Sequence, residues 1–210
     1  MTGQTNGSTN NASTRKFENG VYTPLITPMT DDEQVDIAAL RKQVVRLADA
    51  GMGLVLLGTN GEASHLMDEE RAQVIRASRE ALDAAGHQAV PLLVGTGGGS
   101  AKHTIALAKQ AKAAGADYSI VICPGYFAFA MGGSKDAVKG FFQEVLDESV
   151  LPVMIYNFPG AASGIDIDSD TLIELSEHPN CFGAKLTCGN VGKGTRLAAH
   201  TQSKEYLSPT

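Results

Sequence analysis

The chain has 210 residues, of which 43% are hydrophobic and 19% charged, so a disordered chain is excluded and one domain, or two small ones, is expected. Its 17 basic and 23 acidic residues give a formal charge of -6, which excludes the domain-wide basic surface typical of nucleic-acid binding. No apolar run approaches the roughly 20 residues that a membrane-spanning helix needs. We therefore expect neither a nucleic-acid nor a membrane partner.

The first 19 residues are rich in Asn, Thr, Ser and Gly, and they are predicted to form a disordered polar tail without the apolar stretch of a secretory signal. The three cysteines, Cys123, Cys181 and Cys188, have no CxxC spacing, which disfavours a disulfide framework or a zinc site. We expect a cytoplasmic protein without metal or cofactor. A mitochondrial location stays open, because the tail is poor in acidic residues and contains Arg15 and Lys16.

From residue 20 onward, short apolar runs alternate with longer segments in which apolar residues recur at helical spacing. Strands are predicted over residues 21–26, 54–57, 90–94, 118–122, 153–156 and 182–186. Helices are predicted over residues 37–50, 69–85, 101–114, 135–148 and 169–177, with another near 192–200. Several of them end at a glycine that suits a left-handed cap, at Gly51, Gly86 and Gly115. The strands begin about 32 residues apart, which is the size of one βα unit.

This alternation predicts an α/β fold with a parallel sheet, either an open doubly wound sheet or a (β/α)8 barrel. The first strand ends without the GxGxxG loop of the dinucleotide-binding open sheet, and polar residues follow several strands, which favours a TIM barrel. Eight such units after a tail would need about 275 residues. We therefore predict an incomplete barrel of about six units over residues 20–200, an irregular tail over 201–210, and truncation at the C-terminal side.

Polar residues collect where the predicted strands end. Thr59, Asn60 and Gly61 follow the second strand, Tyr156 ends the fifth, and Lys185 lies within the sixth. The carboxyl ends of parallel strands meet at one face of a barrel, and active sites form at that face. We therefore expect these residues to come together.

Lys185 is the sharpest signal, because a lysine inside an apolar strand is rarely buried without a reason. A neutral lysine amine in a desolvated pocket can attack a carbonyl group and form a Schiff base. The alternative is a side chain whose stem lies along the sheet while its ammonium group reaches solvent. On this residue alone, both interpretations stay open.

The other polar residues also have two interpretations each. Tyr156 could carry protons during Schiff-base formation, or it could be a tyrosine at the edge of the core. The turn of Thr59, Asn60 and Gly61 could cradle a carboxylate, or it could be an ordinary Asn-Gly turn. The glycine-rich segment 95–100 matches no complete phosphate-binding motif, and it is predicted to be a flexible loop with an N-cap at Ser100.

Together, these segments resemble the dihydrodipicolinate synthase / N-acetylneuraminate lyase family of class I aldolases. Residues 58–62 are similar to the GTTGE-type loop of that family, residues 156–159 to its YNxP tyrosine motif, and residues 183–185 to its Schiff-base lysine strand. The resemblance covers about residues 20–200. It implies a TIM barrel that assembles as a homotetramer or a dimer of dimers and that needs no cofactor.

The resemblance also implies roles for individual residues. Lys185 would form an imine with pyruvate or the pyruvyl end of a 2-oxo acid, Tyr156 would shuttle protons, and Thr59 would take part in the proton relay. The turn of Thr59, Asn60 and Gly61 would hold the substrate carboxylate. Tyr126 matches a tyrosine that members of the family lend across a dimer interface.

Three positions depart from the family pattern. Asn60 replaces a second threonine, Gly125 replaces the first of a tyrosine pair, and Ala161 replaces an arginine that holds the second substrate's carboxylate in dihydrodipicolinate synthases. Without that guanidinium the synthase reaction is disfavoured. The chain looks closer to the 4-hydroxy-2-oxoglutarate aldolase-like branch or to fungal 2-keto-3-deoxy-sugar-acid aldolases.

The expected reaction is therefore cleavage of a 4-hydroxy-2-oxo acid to pyruvate and an aldehyde by a Schiff-base lyase. One alternative is condensation of pyruvate with an aldehyde, as in 4-hydroxy-tetrahydrodipicolinate synthases. Another is an inactive truncated chain that acts only as an interaction subunit.

Overall fold

Six parallel strands form one curled sheet in the computed structural model, which describes residues 15–202. The strands are β1 (Tyr22–Pro24), β2 (Gly53–Leu56), β3 (Leu92–Gly95), β4 (Tyr118–Ile122), β5 (Val153–Asn157) and β6 (Cys181–Leu186). Each strand pairs with its neighbour in sequence, in the order β1-β2-β3-β4-β5-β6. This order is that of consecutive units of a (β/α)8 barrel, and it confirms the predicted incomplete barrel of six units.

Helices connect the strands and cover one face of the sheet. They are α1 (Ile37–Asp49), α2 (Asp68–Ala84), α3 (Ala101–Ala114), α4 (Ala128–Met131), α5 (Lys135–Glu148), α6 (Ser169–Ser176) and α7 (Val191–Gln202). The sequence predicts neither the short α4 nor a 3-10 turn at Ala63–His65. The bounds of the other elements agree with the prediction to within two residues.

Local chemistry sets the ends of the helices. The carboxylate of Asp36 accepts the Ala39 N–H at 2.9 Å at the start of α1, and the Ser100 hydroxyl accepts the His103 N–H at 3.2 Å at the start of α3. The glycines predicted to end three helices all have a positive φ: 72° at Gly51, 88° at Gly86 and 108° at Gly115. The predicted caps at these positions are confirmed.

The core lies on both faces of the sheet. Between the sheet and the helices, a first cluster contains Leu40, Leu54 and Leu82, and a second one packs Phe142 of α5 behind the later strands. A smaller cluster on the opposite, inner face consists of Val55, Leu93, Ile120 and Tyr156. Because side chains alternate along a strand, membership of this inner cluster points Tyr156 toward the barrel axis.

The first described residues pack under the inner face, at the amino-terminal end of the strands. The Phe17 ring stacks on Tyr22 with centroids 4.2 Å apart, and it meets Phe182 edge-on at 5.2 Å. Arg15 forms an ion pair with the buried Asp117 at 3.0 Å. Arg15 and Phe17 belong to the predicted polar tail of residues 1–19, and within the described residues both contact the sheet.

The structure describes only part of each end of the chain. Residues 1–14 of the predicted polar tail and residues 203–210 of the predicted irregular tail lie outside the described residues. Helix α7 extends to Gln202, so the irregular tail does not begin at residue 201. Along the part of the chain that the structure covers, no helix combines the length and the apolar character that crossing a membrane requires.

Within residues 15–202, β1 and β6 form the two edges of the sheet. Every residue of β6 is half-buried, whereas β3 is buried throughout. The strand that carries Lys185 is thus bound through its backbone to β5 on one side only.

Candidate active site

Lys185 and Tyr156 are direct neighbours across the β5–β6 ladder. The Lys185 Nζ lies 4.5 Å from the centroid of the Tyr156 ring, over its face. The tyrosine is 7% exposed, while the lysine is half-buried at the open edge of the sheet. An ammonium group over a tyrosine ring is a cation–π contact, which holds the amine against the ring instead of letting it extend into solvent.

Thr59 approaches the same tyrosine from the other side of the inner face. It follows β2, and its Oγ1 lies 3.4 Å from the Tyr156 hydroxyl oxygen. This distance is long for a bond between two hydroxyl groups, and it leaves room for a small adjustment when a ligand binds. The structure thus brings together three of the residues that the sequence predicts: Thr59, Tyr156 and Lys185.

One cavity of about 290 Å³ joins these three side chains. Its apolar wall comes from β2, the residue after it and β4, namely Val55, Leu57, Ile120 and Ile122, and its polar lining includes Thr59, Glu62, His65, Arg71, Tyr156 and Lys185. The volume is near the lower end of the range for small-molecule sites, which suits a small organic acid. The Lys185 amine lies at the half-buried edge of this cavity.

The turn that carries Thr59 is held in an unusual backbone conformation. Leu57 and Glu62, on either side of it, have left-handed φ values of 54° and 52°. Such values cost of order 1–3 kcal/mol for each non-glycine residue and persist only where the surroundings enforce them. Gly61 fits because a Cβ there would lie 2.9 Å from the Leu57 nitrogen, and the Thr27 hydroxyl donates to the Gly61 carbonyl at 2.7 Å.

Asn60 and Gly61 occupy a different position from Thr59. Asn60 is exposed, Gly61 is buried against the backbone of Leu25 and Leu57, and neither is among the residues that line the cavity. Gly58 and Thr59 line it instead. The predicted role of Asn60 and Gly61 in holding a carboxylate therefore stays a prediction, and Gly61 has a packing role that explains its presence independently.

Tyr126 lies away from the cavity. It is 86% exposed in the segment after β4, and its ring packs edge-on against Phe127 at 5.0 Å, which in turn lies 5.9 Å from Phe129. The structure of the single chain therefore does not bring Tyr126 to Tyr156. Its predicted contribution across an interface stays a prediction that needs a second copy of the chain.

Arg71 is a cavity-lining residue that the sequence reasoning misses. It is 7% exposed on α2, and its Nη2 donates to the carbonyl oxygens of Gly95 at 3.1 Å and Gly97 at 3.5 Å. Burial lowers the pKa of its guanidinium group from the ordinary value, and the nearby Asp68 carboxylate opposes this shift. The available signal is positional, because Arg71 stands in helical phase with the buried Ile75.

A second missed feature lies directly behind Tyr156. The Asn157 side chain donates to Asp166 Oδ1 at 2.9 Å and accepts the Ile167 N–H at 3.1 Å, and Asp166 also pairs with the amine of Lys193 on α7. Burial alone would raise the Asp166 pKa, but the hydrogen bonds from Lys193 and Asn157 lower it below its ordinary value. These bonds hold together the two ends of the loop between β5 and α6. The same loop contains Ala161, which lines the cavity.

A metal-binding group is not found among the residues that the structure describes: no three His, Cys, Asp or Glu side chains there could hold one ion together. Burial raises the pKa of the Cys123 and Cys181 thiols to about 11, so both stay protonated at neutral pH.

The profile of the Dihydrodipicolinate synthetase family matches residues 17–207. This chain belongs to that family. It is 47% identical, over 181 residues, to a protein of Emericella nidulans named "Probable 4-hydroxy-2-oxoglutarate aldolase, mitochondrial". The match covers 86% of this chain and 58% of that relative. It is 46% identical over 187 residues to the L-threo-3-deoxy-hexylosonate aldolase of Hypocrea jecorina, covering 88% of this chain and 59% of that one.

Among solved structures, the family protein YagE of E. coli, a prophage protein in complex with pyruvate, is similar with a TM-score of 0.77 and 34% identity. The match covers 88% of this chain and 59% of YagE. The chain thus spans under three fifths of the length of each of these relatives. The family assignment predicted from three short motifs is confirmed by a match over almost the whole chain.

Proposed function

We propose that this protein is a Schiff-base aldolase that cleaves a 4-hydroxy-2-oxo acid to pyruvate and an aldehyde. The observation that carries the proposal is the arrangement of Lys185, Tyr156 and Thr59 around one cavity of about 290 Å³. An amine, a phenol and a second hydroxyl within reach of one another are the groups that imine formation at a carbonyl requires.

The reaction begins when the neutral Lys185 amine attacks the C2 carbonyl carbon of the substrate. The Tyr156 hydroxyl donates a proton to the carbonyl oxygen, and Thr59, 3.4 Å away, relays the proton that the attacking nitrogen loses back to the tyrosine. Tyr156 then gives this proton to the departing hydroxyl group, so that loss of water leaves the protonated imine and a Tyr156 phenolate. Val55 and Ile120 provide an apolar wall beside the reacting groups.

The protonated imine then acts as the electron sink for carbon–carbon cleavage. In this proposal the Tyr156 phenolate is the base that removes the proton of the C4 hydroxyl, and the electrons of the C3–C4 bond move into the imine. An aldehyde leaves and an enamine remains on Lys185. Protonation of the enamine at C3 and hydrolysis of the imine release pyruvate and restore the free amine.

The names of the relatives support this direction of the reaction and its class of substrate. Both curated relatives are named as aldolases, one for 4-hydroxy-2-oxoglutarate and the other for a 3-deoxy sugar acid. The position where dihydrodipicolinate synthases have an arginine is Ala161, which lines the cavity without any charge. The synthase-type condensation therefore lacks its bidentate carboxylate clamp and is the second candidate.

Assembly and location belong to the same proposal. The exposed cluster of Tyr126, Phe127 and Phe129 supports a homo-oligomer, because an aromatic patch of this kind favours burial against another surface. The alternative hypothesis, an inactive chain that acts only as an interaction subunit, would explain the same exposed aromatic cluster. For location we retain both the cytoplasm and the mitochondrion, and the name of the Emericella relative favours the second.

The test is trapping of the imine with borohydride in the presence of pyruvate, read by intact mass and peptide mapping. We expect a reduced pyruvyl adduct on Lys185 that is lost in Lys185→Ala. Lys139→Ala is the matched control, because Lys139 lies on the outer helix α5 in an ion pair with Glu174. An adduct that survives in Lys185→Ala, or no adduct in the folded wild-type chain, would contradict the proposal.

A further inference from the structure

The glycine-rich segment 95–100 begins with Gly95, the last residue of β3, and this residue touches the turn that carries Thr59. A Cβ on Gly95 would lie 1.8 Å from the Leu57 carbonyl oxygen and 2.7 Å from its carbonyl carbon. The backbones at the ends of β2 and β3 are therefore in direct contact, which only glycine permits at this position. Leu57 is the residue with a left-handed φ of 54° immediately before Gly58 and Thr59.

Arg71 fastens this loop from behind. Its Nη2 bonds to the carbonyl oxygens of Gly95 and Gly97, on both sides of Thr96. Arg71 and Gly95 are both buried, so the Gly95 carbonyl depends on the guanidinium rather than on water. Gly97 is half-buried, and its bond to Arg71 is the longer of the two. A displacement of the loop would remove the surface against which the Leu57–Gly58 peptide rests.

We infer that Arg71 is a positioning residue, which holds the glycine-rich loop against Leu57 and thereby keeps Thr59 in reach of the Tyr156 hydroxyl. The inference rests on the proposed function, because it assigns Arg71 an effect on imine formation. Arg71 acts through the turn: it moves no proton and needs no contact with the reacting carbonyl carbon. A left-handed residue persists only where its surroundings enforce it, and the clamped loop is that enforcement.

Arg79 provides an internal comparison on the same helix. It is also 7% exposed, and it also donates to backbone carbonyl oxygens, those of Val90 at 2.8 Å and His87 at 3.0 Å. Those residues lie in the segment that leads into β3, at the end of the strand opposite to the cavity. The two arginines therefore differ in which end of β3 they fasten, while their exposed fraction is the same. Arg79 makes an additional ion pair with Asp83 at 2.7 Å.

The experiment measures the rate of imine formation with pyruvate, by borohydride trapping over time, in Arg71→Met and Arg79→Met of the full chain. We expect both variants to unfold at a lower temperature than the wild type, since each loses buried hydrogen bonds. Only Arg71→Met is expected to form the imine more slowly, by about tenfold to hundredfold, the scale for a misplaced catalytic group. The pyruvate concentration at half-maximal rate should change little.

A second background separates positioning from general weakening of the structure. In Thr59→Val the relay is already broken, so adding Arg71→Met should slow imine formation no further. If Arg71→Met does not fold, the same contrast is expected between Arg71→Lys and Arg79→Lys, which retain the charge but lose the planar fork.

The outcomes separate the two proposals. If the wild-type chain forms the imine but Arg71 and Arg79 variants react equally fast, the positioning role is wrong and the proposed function stands. If the Arg71 effect persists undiminished in Thr59→Val, Arg71 does not act through Thr59. If the folded wild-type chain forms no imine, the proposed function fails, and the role of Arg71 fails with it.

Discussion

Replacement of Phe17 by alanine tests whether the segment before β1 stabilises the sheet. The Phe17 ring stacks on Tyr22 at 4.2 Å and meets Tyr118 and Phe182 edge-on at 5.4 and 5.2 Å. Truncating a fully buried phenylalanine costs about 3–5 kcal/mol. Phe17 is only half-buried, so we expect Phe17→Ala to lower the free energy of unfolding by about 2 kcal/mol.

A loss of this size is measurable by thermal unfolding. In chains of this length each kcal/mol shifts the midpoint by about 2–4 °C, so Phe17→Ala should unfold about 4–8 °C below the wild type. The assay is circular dichroism during heating, with Phe129→Ala as the control, because Phe129 is 84% exposed and its truncation should leave the midpoint unchanged. An equal midpoint for Phe17→Ala and the wild type would refute the reasoning that packing of Phe17 against Tyr22, Tyr118 and Phe182 stabilises the sheet.

Three further changes probe the cavity and its supports. Gly95→Ala should destabilise the chain to chemical denaturation by about 1–3 kcal/mol or more, because its Cβ would lie 1.8 Å from the Leu57 carbonyl oxygen; full stability would contradict the close contact. Tyr156→Phe should retain the fold but slow imine trapping by about 10²–10⁴-fold, and an unchanged rate would exclude the phenol from the relay. Burial would raise the pKa of Asp166, but the hydrogen bond from Lys193 lowers it below its ordinary value of 3.8. The Asp166–Lys193 pair therefore stabilises the fold fully above pH 3.8, and this stability is lost as the pH falls through the lower pKa of Asp166 in the folded state. Acid titration of unfolding should therefore weaken the wild type more than Asp166→Asn, and parallel curves would count against the ion pair.

The fold could be predicted from local signals because each βα unit contains its own. Helix α3 begins at the residue after Ser100 and ends before Gly115, as the cap residues indicate. The strands are short apolar runs, and their parallel order follows from the helical segments between them. The short α4 escapes prediction, because four residues cannot show helical periodicity.

The candidate site could be predicted in part for the same reason. Thr59, Tyr156 and Lys185 each stand at or near the carboxyl end of a strand, and the barrel geometry alone brings such positions to one face. The contacts of Arg71 and of Asp166 could not be predicted, because each depends on partners in other units of the chain. For Arg71, the trace in the sequence is a charged residue within a buried helical stripe.

The position of Lys185 on an edge strand gives that strand an uneven dynamic character. Along a parallel strand, successive backbone N–H groups point alternately to the two neighbours, and within the described residues β6 has only β5 beside it. Deuterium should therefore replace every second amide hydrogen of β6 quickly and the others slowly. Strand β3 has a neighbouring strand on both sides, so its amide hydrogens should not show this alternation. The amine proposed to carry the imine is thus attached to a strand whose backbone is hydrogen-bonded to β5 on one side and, within the described residues, to no strand on the other.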